Sequence, residues 1–169
     1  MLPQQNQKKL KKIYLNVFKL AGDIMEDFFT LNKQLCFAIY ETASEFNKLY
    51  TSVLQPFQLT YPQYLVLLAL WEKDEVTMKE LGHKLNLGTG TLTPMISRME
   101  ANGWVNKERS KVDERKVYIY LQEKAHLEKS SITQSVANAV QACNIEEQDY
   151  IQLMSQLDKL RHKLKSLSN

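Results

Sequence analysis

Cys36 is one of only two cysteines in the 169-residue chain, and it lies in a segment, Asn32–Tyr64, that holds four of the eight tyrosines. A thiolate is a nucleophile and is readily oxidised. Phenol hydroxyls can donate hydrogen bonds to a sulfur anion without adding a fixed positive charge. On a helix, Tyr40 is displaced by about +40° from Cys36 and Tyr50 by about −40°, so the three share one face. Tyr50 is nonetheless about 21 Å further along the axis and cannot touch that sulfur within one straight helix. If two copies of the helix cross antiparallel, Tyr50 of one approaches Cys36 of the other. Tyr61, at the start of the next helix, then reaches the same place.

Those positions depend on the elements around them. Five glycines and four prolines in the whole chain predict a mostly helical protein. Leu10, Ile13, Val17, Leu20 and Ile24 alternate at spacings of three and four, a helical stripe that Gly22 and Asp23 weaken. A long helix is expected from about Leu31 to Leu54, stopped by Pro56. "TYPQYLVLLALWEK" predicts a buried helix starting near Pro62. Thr77 and Glu80 have the spacing of a capping box and open the next helix. The turn "NLGTG" leads into a second short helix, "TLTPMISRMEANG", closed by Gly103. In "WVNKERSKVDERKVYIYL", Val117, Ile119 and Leu121 alternate with Tyr118 and Tyr120, the period of a strand, and "SKVDE" reads as a hairpin loop. Two helices are expected to finish the chain. Tyr150, Leu153, Leu157, Leu160, Leu164 and Leu167 occupy six consecutive a/d positions of a heptad in the last.

Composition narrows the function classes. Hydrophobic residues make up 44% of the chain, enough for a core, and charged residues 24%. No apolar run approaches the roughly 20 residues of a membrane span. Lysines 8, 9, 11 and 12 precede an apolar stretch, but Lys19 and Asp23 interrupt it and no small-residue cleavage site follows, so a cytoplasmic location is expected. Two cysteines 107 positions apart fit neither a disulfide framework nor a CxxC zinc site. His83, His126 and His162 have no carboxylate or cysteine at ligand spacing, so no metal is assigned, and no cofactor motif is present. The net charge of +3 is unevenly spread: residues 1–24 carry +4 and the remainder −1.

Helix, helix, turn, helix and a hairpin with a charged tip is the order of a winged helix-turn-helix. A major groove admits one helix, whose N-terminal side chains meet base edges. Thr89, Thr91 and Thr93 supply hydroxyls at that end, and Arg98 follows about one and a half turns later. Lys111 and Arg115 at the hairpin tip suit a neighbouring minor groove. Residues 79–116 carry eight Lys/Arg against five Asp/Glu, which is no basic patch in itself. Threonine clusters also serve as plain helix caps, and charged tips are often only solvated. The pattern alone leaves both readings open.

The stretch from Leu59 to Leu121 resembles the winged-helix core of the MarR family of bacterial transcription regulators. "TLTPMISRMEANG" resembles its recognition helix, and Asp113-Glu114-Arg115 its wing signature. "KQLCFAIY" and "TYPQY" are similar to the organic hydroperoxide-responsive OhrR branch. The resemblance implies a mainly α fold with a small β-hairpin wing, a winged helix-turn-helix core, and N- and C-terminal dimerisation helices. It implies a homodimer on a pseudo-palindromic double-stranded DNA operator. Thr89, Thr91 and Arg98 would face the major groove or its phosphates, and Arg115 the minor groove. Gly88-Thr89 stands where members of that branch have Asp-Ser, which implies a different operator preference.

The same resemblance assigns Cys36 as the peroxidatic cysteine and Tyr40, Tyr50 and Tyr61 as the tyrosines around it, with Phe37 and Leu35 lending an apolar wall that favours organic hydroperoxide. Cys143 continues the apolar stripe Ile132, Val136, Val140, which by itself reads as a buried helix residue. The branch's two-cysteine subtype implies instead that Cys143 of the partner subunit resolves oxidised Cys36. The expected function is a repressor, not an enzyme, that releases DNA on oxidation. The alternative is a MarR-type regulator of a non-covalent phenolic ligand, with Cys36 incidental. A thiol peroxidase is set aside because the sequence puts no fixed cation beside the thiol. The expected organisation is a basic amphipathic leader (1–24), an N-terminal dimerisation helix (25–60), the DNA-binding domain (61–121) and C-terminal dimerisation helices (122–169). Ala21-Gly22-Asp23 can be encoded by a ribosome-binding purine tract, so initiation at Met25 is expected.

Overall fold

The computed structural model describes residues 30–168. The leader, its helical stripe and the Met25 start lie outside the described residues. The described chain runs α1 (Leu35–Leu54), α2 (Tyr61–Glu72), β1 (Val76–Thr77), α3 (Met78–Leu85), α4 (Thr89–Ala101), β2 (Val105–Arg109), β3 (Val117–Leu121), α5 (Glu123–Leu127), α6 (Lys129–Ala142) and α7 (Glu147–Ser168). It divides into two compact units, Phe46–Cys143 and a second that joins residues 30–45 to 144–168.

Phe46–Cys143 holds the core. α2 is apolar all round and buries Tyr64, Val66, Leu67, Ala69 and Leu70. Its one buried polar side chain, Gln63, accepts from the Thr60 N–H at 2.8 Å and so meets its hydrogen-bonding need at the helix start. The Thr77–Glu80 capping box of α3 forms as the sequence predicts. The Thr77 N–H donates to Glu80 Oε2 at 2.7 Å, and the Glu80 N–H returns to Thr77 Oγ1 at 3.2 Å. The Thr77 hydroxyl, which donates to Glu80 Oε2 at 2.7 Å, and then the Thr77 N–H hold the Glu80 carboxyl below its usual range. α3 ends at Asn86 in the left-handed conformation, and the chain folds back so that a Cβ on Gly82 would stand 2.9 Å from the Leu87 carbonyl oxygen. Only glycine lets the turn close that tightly. Gly103, at φ +76, performs the corresponding stop after α4.

The sheet has the order β1-β3-β2 and is antiparallel throughout. Ile119 is fully buried, flanked by Val76 on one side and Lys107 on the other. Val117 and Leu121 share its face by the strand's period of two, which places Tyr118 and Tyr120 on the opposite face. Trp104 sits buried after α4, with the Lys124 ammonium 4.3 Å from its ring centroid.

Three expectations need correction. The long helix starts at Leu35, not Leu31: residues Leu31–Lys33 form a 3-10 turn, and Gln34 is extended at ψ 125°, which breaks the helix. Three helices follow the wing, because Glu123–Leu127 turns separately before α6. A third strand, β1, pairs with β3 ahead of α3.

The second unit is built differently. None of its described side chains is buried. Leu31, Leu35, Ile39 and Tyr40 are exposed, and so are Tyr150, Leu153, Leu157 and Leu164 on α7. No helix of the described residues is long and apolar enough to cross a membrane.

Candidate nucleic-acid interface and thiols

A cleft of about 1080 Å³ opens in the unit Phe46–Cys143, where α3, the start of α4 and the wing converge. Five cations line it: Lys79, Lys107, Arg109, Arg115 and Lys116, against the single carboxylate of Asp113. Sequence reading picked out Arg115 alone of these. Lys107 and Arg109 alternate on β2, so period two was the signal available for them. Lys79 and Lys116 carried none.

α4 starts without a side-chain cap. Its N-cap is Gly88, and the first helical bonds return from Thr91 and Leu92 to the Gly88 carbonyl. The N–H groups of Thr89 and Gly90 therefore lack acceptors within the helix. Gly88 and Gly90 have open space where a Cβ would stand and no left-handed φ, so neither glycine is demanded by packing or backbone conformation.

The predicted contact residues separate around α4. Thr89 and Thr93, about 40° apart, both line the cleft. Thr91 lies about 160° from Thr89, and Arg98 falls within about 20° of Thr91. Thr91 and Arg98 thus share the other flank, both exposed. At the wing tip, Ser110 Oγ accepts from the N–H groups of Val112 and Asp113, each at 3.2 Å. Asp113 Oδ1 accepts from the Arg115 N–H and Nε, also at 3.2 Å. Arg115 is otherwise open to solvent, with 92% of its side chain exposed, and Lys111 is exposed beside it.

Cys36 and Cys143 are both free and exposed. The late start of α1 puts Cys36 in the first helical turn, where the N–H groups of Leu35, Cys36 and Phe37 lack intrahelical acceptors. Tyr40, also exposed, stacks on Phe37 with ring centroids 6.5 Å apart. Those residues belong to the unit of 30–45 and 144–168. In the other unit, Tyr50 and Tyr61 stack at 4.4 Å, and Tyr64 joins them 5.8 Å from Tyr50. Burial, with Tyr61 beside it, pushes the Tyr64 hydroxyl above its ordinary range. The structure thus brings Tyr50 and Tyr61 together and adds Tyr64. Cys143 is not the buried residue that the apolar stripe suggests. It caps the C-terminus of α6, where its Sγ lies 3.5 Å from the Ala139 carbonyl oxygen. Among the described residues, no group of three or more His, Cys, Asp or Glu is placed to hold a metal ion.

Comparison with known proteins places the winged-helix unit. Residues 48–132 match the family model "Transcriptional regulator SarA/Rot"; neither cysteine falls within that match. The chain is 50% identical over 95 residues to the HTH-type transcriptional regulator TtmR of Methylorubrum extorquens, covering 56% of this chain and 49% of TtmR. It is 47% identical over 97 residues to the organic hydroperoxide resistance transcriptional regulator of Bacillus subtilis, covering 57% of this chain and 66% of that protein. The match therefore spans about half the length of the first relative and just under two thirds of the second. Among solved structures, reduced AbfR bound to DNA superimposes with a TM-score of 0.75 at 33% identity, covering 82% of this chain and 95% of that one. Disulfide-formed AbfR superimposes with a TM-score of 0.61 at 32% identity, over 82% and 98%. AbfR is a protein of Staphylococcus epidermidis. With residues 48–132 matched by the family model, the chain belongs to the SarA/Rot family of transcriptional regulators, as a member of MarR and OhrR type.

Proposed function

We propose that the protein is a homodimeric DNA-binding repressor that releases a pseudo-palindromic operator when an organic hydroperoxide oxidises Cys36. The observation that carries the DNA reading is the cleft: five cations and one acid around the uncapped start of α4. Free N–H groups and the helix dipole there favour phosphate. α4 enters the major groove and the tip residues Lys111 and Arg115 reach the adjoining minor groove, where a narrow width concentrates negative potential. The relatives are named as transcriptional regulators, which favours binding over turnover.

Two copies are needed because the unit of 30–45 and 144–168 buries none of its apolar side chains alone. Exposed apolar surface on that scale marks an association site. Each copy then reads one half-site, about one duplex turn apart.

The sensing chemistry balances as follows. The Cys36 thiolate attacks the terminal oxygen of the hydroperoxide, the O–O bond breaks, and the alkoxide leaves as the alcohol after taking a proton. Cys36 becomes the sulfenic acid. The thiol of Cys143 of the partner subunit then attacks that sulfur, and water leaves as the disulfide forms. Support comes from the exposure of both sulfurs and from the relatives' names, one a hydroperoxide resistance regulator and one solved in a disulfide form. Tyr40, Tyr50 and Tyr61 are assigned to the thiolate's surroundings.

Selection from random duplexes with purified protein should return a pseudo-palindrome bound with a steep salt dependence. Non-reducing gels after cumene hydroperoxide should show a covalent dimer that Cys143→Ser abolishes. An unstructured pool of selected duplexes refutes the DNA reading, and monomer alone on the gel refutes the disulfide.

Gly88 allows a sharper check on the helix start. Gly88→Asp supplies a capping carboxylate, so folding stability should rise by a few tenths of a kcal/mol. The same charge stands where a phosphate would sit, so operator affinity should fall by about tenfold, the loss of one good phosphate contact. Thermal melts and gel shifts on one preparation would show the two moving in opposite directions. Affinity that rises with stability contradicts the placement of phosphate there.

A further inference from the structure

We propose that Glu100 is a positioning residue for DNA recognition, one that locks the wing to α4 and holds the charge of Lys107 back from the phosphates. The proposal rests on the DNA-binding reading above and adds how helix and wing are kept in step.

Glu100 lies in the last turn of α4, and Lys107 is the middle residue of β2. β2 is an edge strand, so every second N–H points away from the sheet with no strand to receive it. The Lys107 N–H is one of these, and it donates to Glu100 Oε1 at 3.0 Å. The other carboxylate oxygen, Oε2, pairs with Lys107 Nζ at 2.9 Å. Nζ also donates to Ser97 Oγ at 3.1 Å, one turn earlier on the same helix. One residue of the wing is thus tied through both backbone and side chain to two points on α4. The ion pair is only about a third exposed, which spares it much of the screening a surface pair suffers.

The tie has two consequences. A backbone bond from strand to helix fixes the pitch of the hairpin relative to α4. Helix and tip must address neighbouring grooves whose separation the duplex sets, so that pitch decides whether both can engage at once. Lys107 also lines the cationic cleft, yet its ammonium is already neutralised by Glu100. The clamp gives up one potential phosphate contact, which is sequence-blind, in return for geometry, which is not.

Glu100→Gln separates these parts, because the amide oxygen still accepts from the Lys107 N–H while the negative charge is gone. With Lys107 released, the slope of log K against log salt should steepen by about 0.9, one added phosphate contact. Discrimination between the selected duplex and a scrambled one should fall by about tenfold as the side-chain half of the clamp loosens. In a Lys107→Met background, Glu100→Gln should leave the slope unchanged. Glu100→Ala removes both halves and should reduce discrimination further. A purely structural Glu100 would lower the melting temperature of these variants and leave the slope alone. If wild type prefers the selected duplex and folded Glu100→Gln matches it in slope and discrimination, this inference is overturned on its own. If wild type shows no preference, the DNA reading falls and takes the inference with it.

Discussion

Cys36→Ser should stay on its operator in the presence of cumene hydroperoxide, whereas wild-type protein lets go. The expected difference is large, because the oxidised dimer should drop from specific to non-specific affinity, a gap of roughly a thousandfold or more for such regulators. The two cysteines are not equivalent by position. Cys36 lies in the first turn of a 20-residue helix, and Cys143 lies at the C-terminal cap of α6. The thiol of Cys143 is also directed at the Ala139 carbonyl of its own helix. Under the proposed mechanism, attack on peroxide is assigned to Cys36 and resolution to Cys143. Fluorescence anisotropy of labelled operator, with and without oxidant, reads the outcome directly. Release by Cys36→Ser at the wild-type peroxide concentration removes the mechanism. Release by Cys143→Ser alone would mean that the sulfenic acid suffices without the disulfide.

How much of this was legible in the sequence follows from how local each signal is. The Thr77–Glu80 box and the hairpin are set within a few residues, and they appear where spacing placed them. β1 is two residues long and exists only through pairing with Ile119 and Tyr118, some forty positions later, so no local pattern announces it. The start of α1 was misplaced because apolar spacing runs on through Leu31–Lys33, whereas the break is a backbone event at Gln34. Cys143 was drawn inward by the phase of Ile132, Val136 and Val140. The buried residues of α6 stop at Val136, however, so the stripe has left the core before it reaches the thiol. The cleft was hidden for a different reason. Its cations come from α3, β2 and the wing, and neighbouring acids in sequence cancel them in any running sum. The hydroxyl cluster at Thr89, Thr91 and Thr93 looked like one contact set, but helical phase puts Thr91 on the far flank with Arg98.

Leu157→Asp should break the dimer and, with it, operator binding, while the winged-helix unit stays folded. Every buried side chain among the described residues lies between Leu54 and Val136, and α7 contributes none of them. Leu157 is 47% exposed in the single chain, and it stands mid-way along a stripe with Leu153 on one side and Leu160 and Leu164 on the other. Being central, it is covered wherever two such stripes pack against each other, in either direction. Burying a leucine there contributes about 1.5–3 kcal/mol per copy, and an aspartate instead brings two unpaired carboxylates into an apolar seam. Operator affinity should then fall by a further factor of about 10² to 10⁴, because the second half-site is no longer held at high effective concentration. Sedimentation would show a monomer, and its thermal melt would stay close to wild type, since Leu157 is not one of the buried residues of the winged-helix core. A variant that sediments as a dimer and binds at wild-type strength would mean that the exposed leucines of α7 serve some other surface, and that the two reading heads are joined elsewhere.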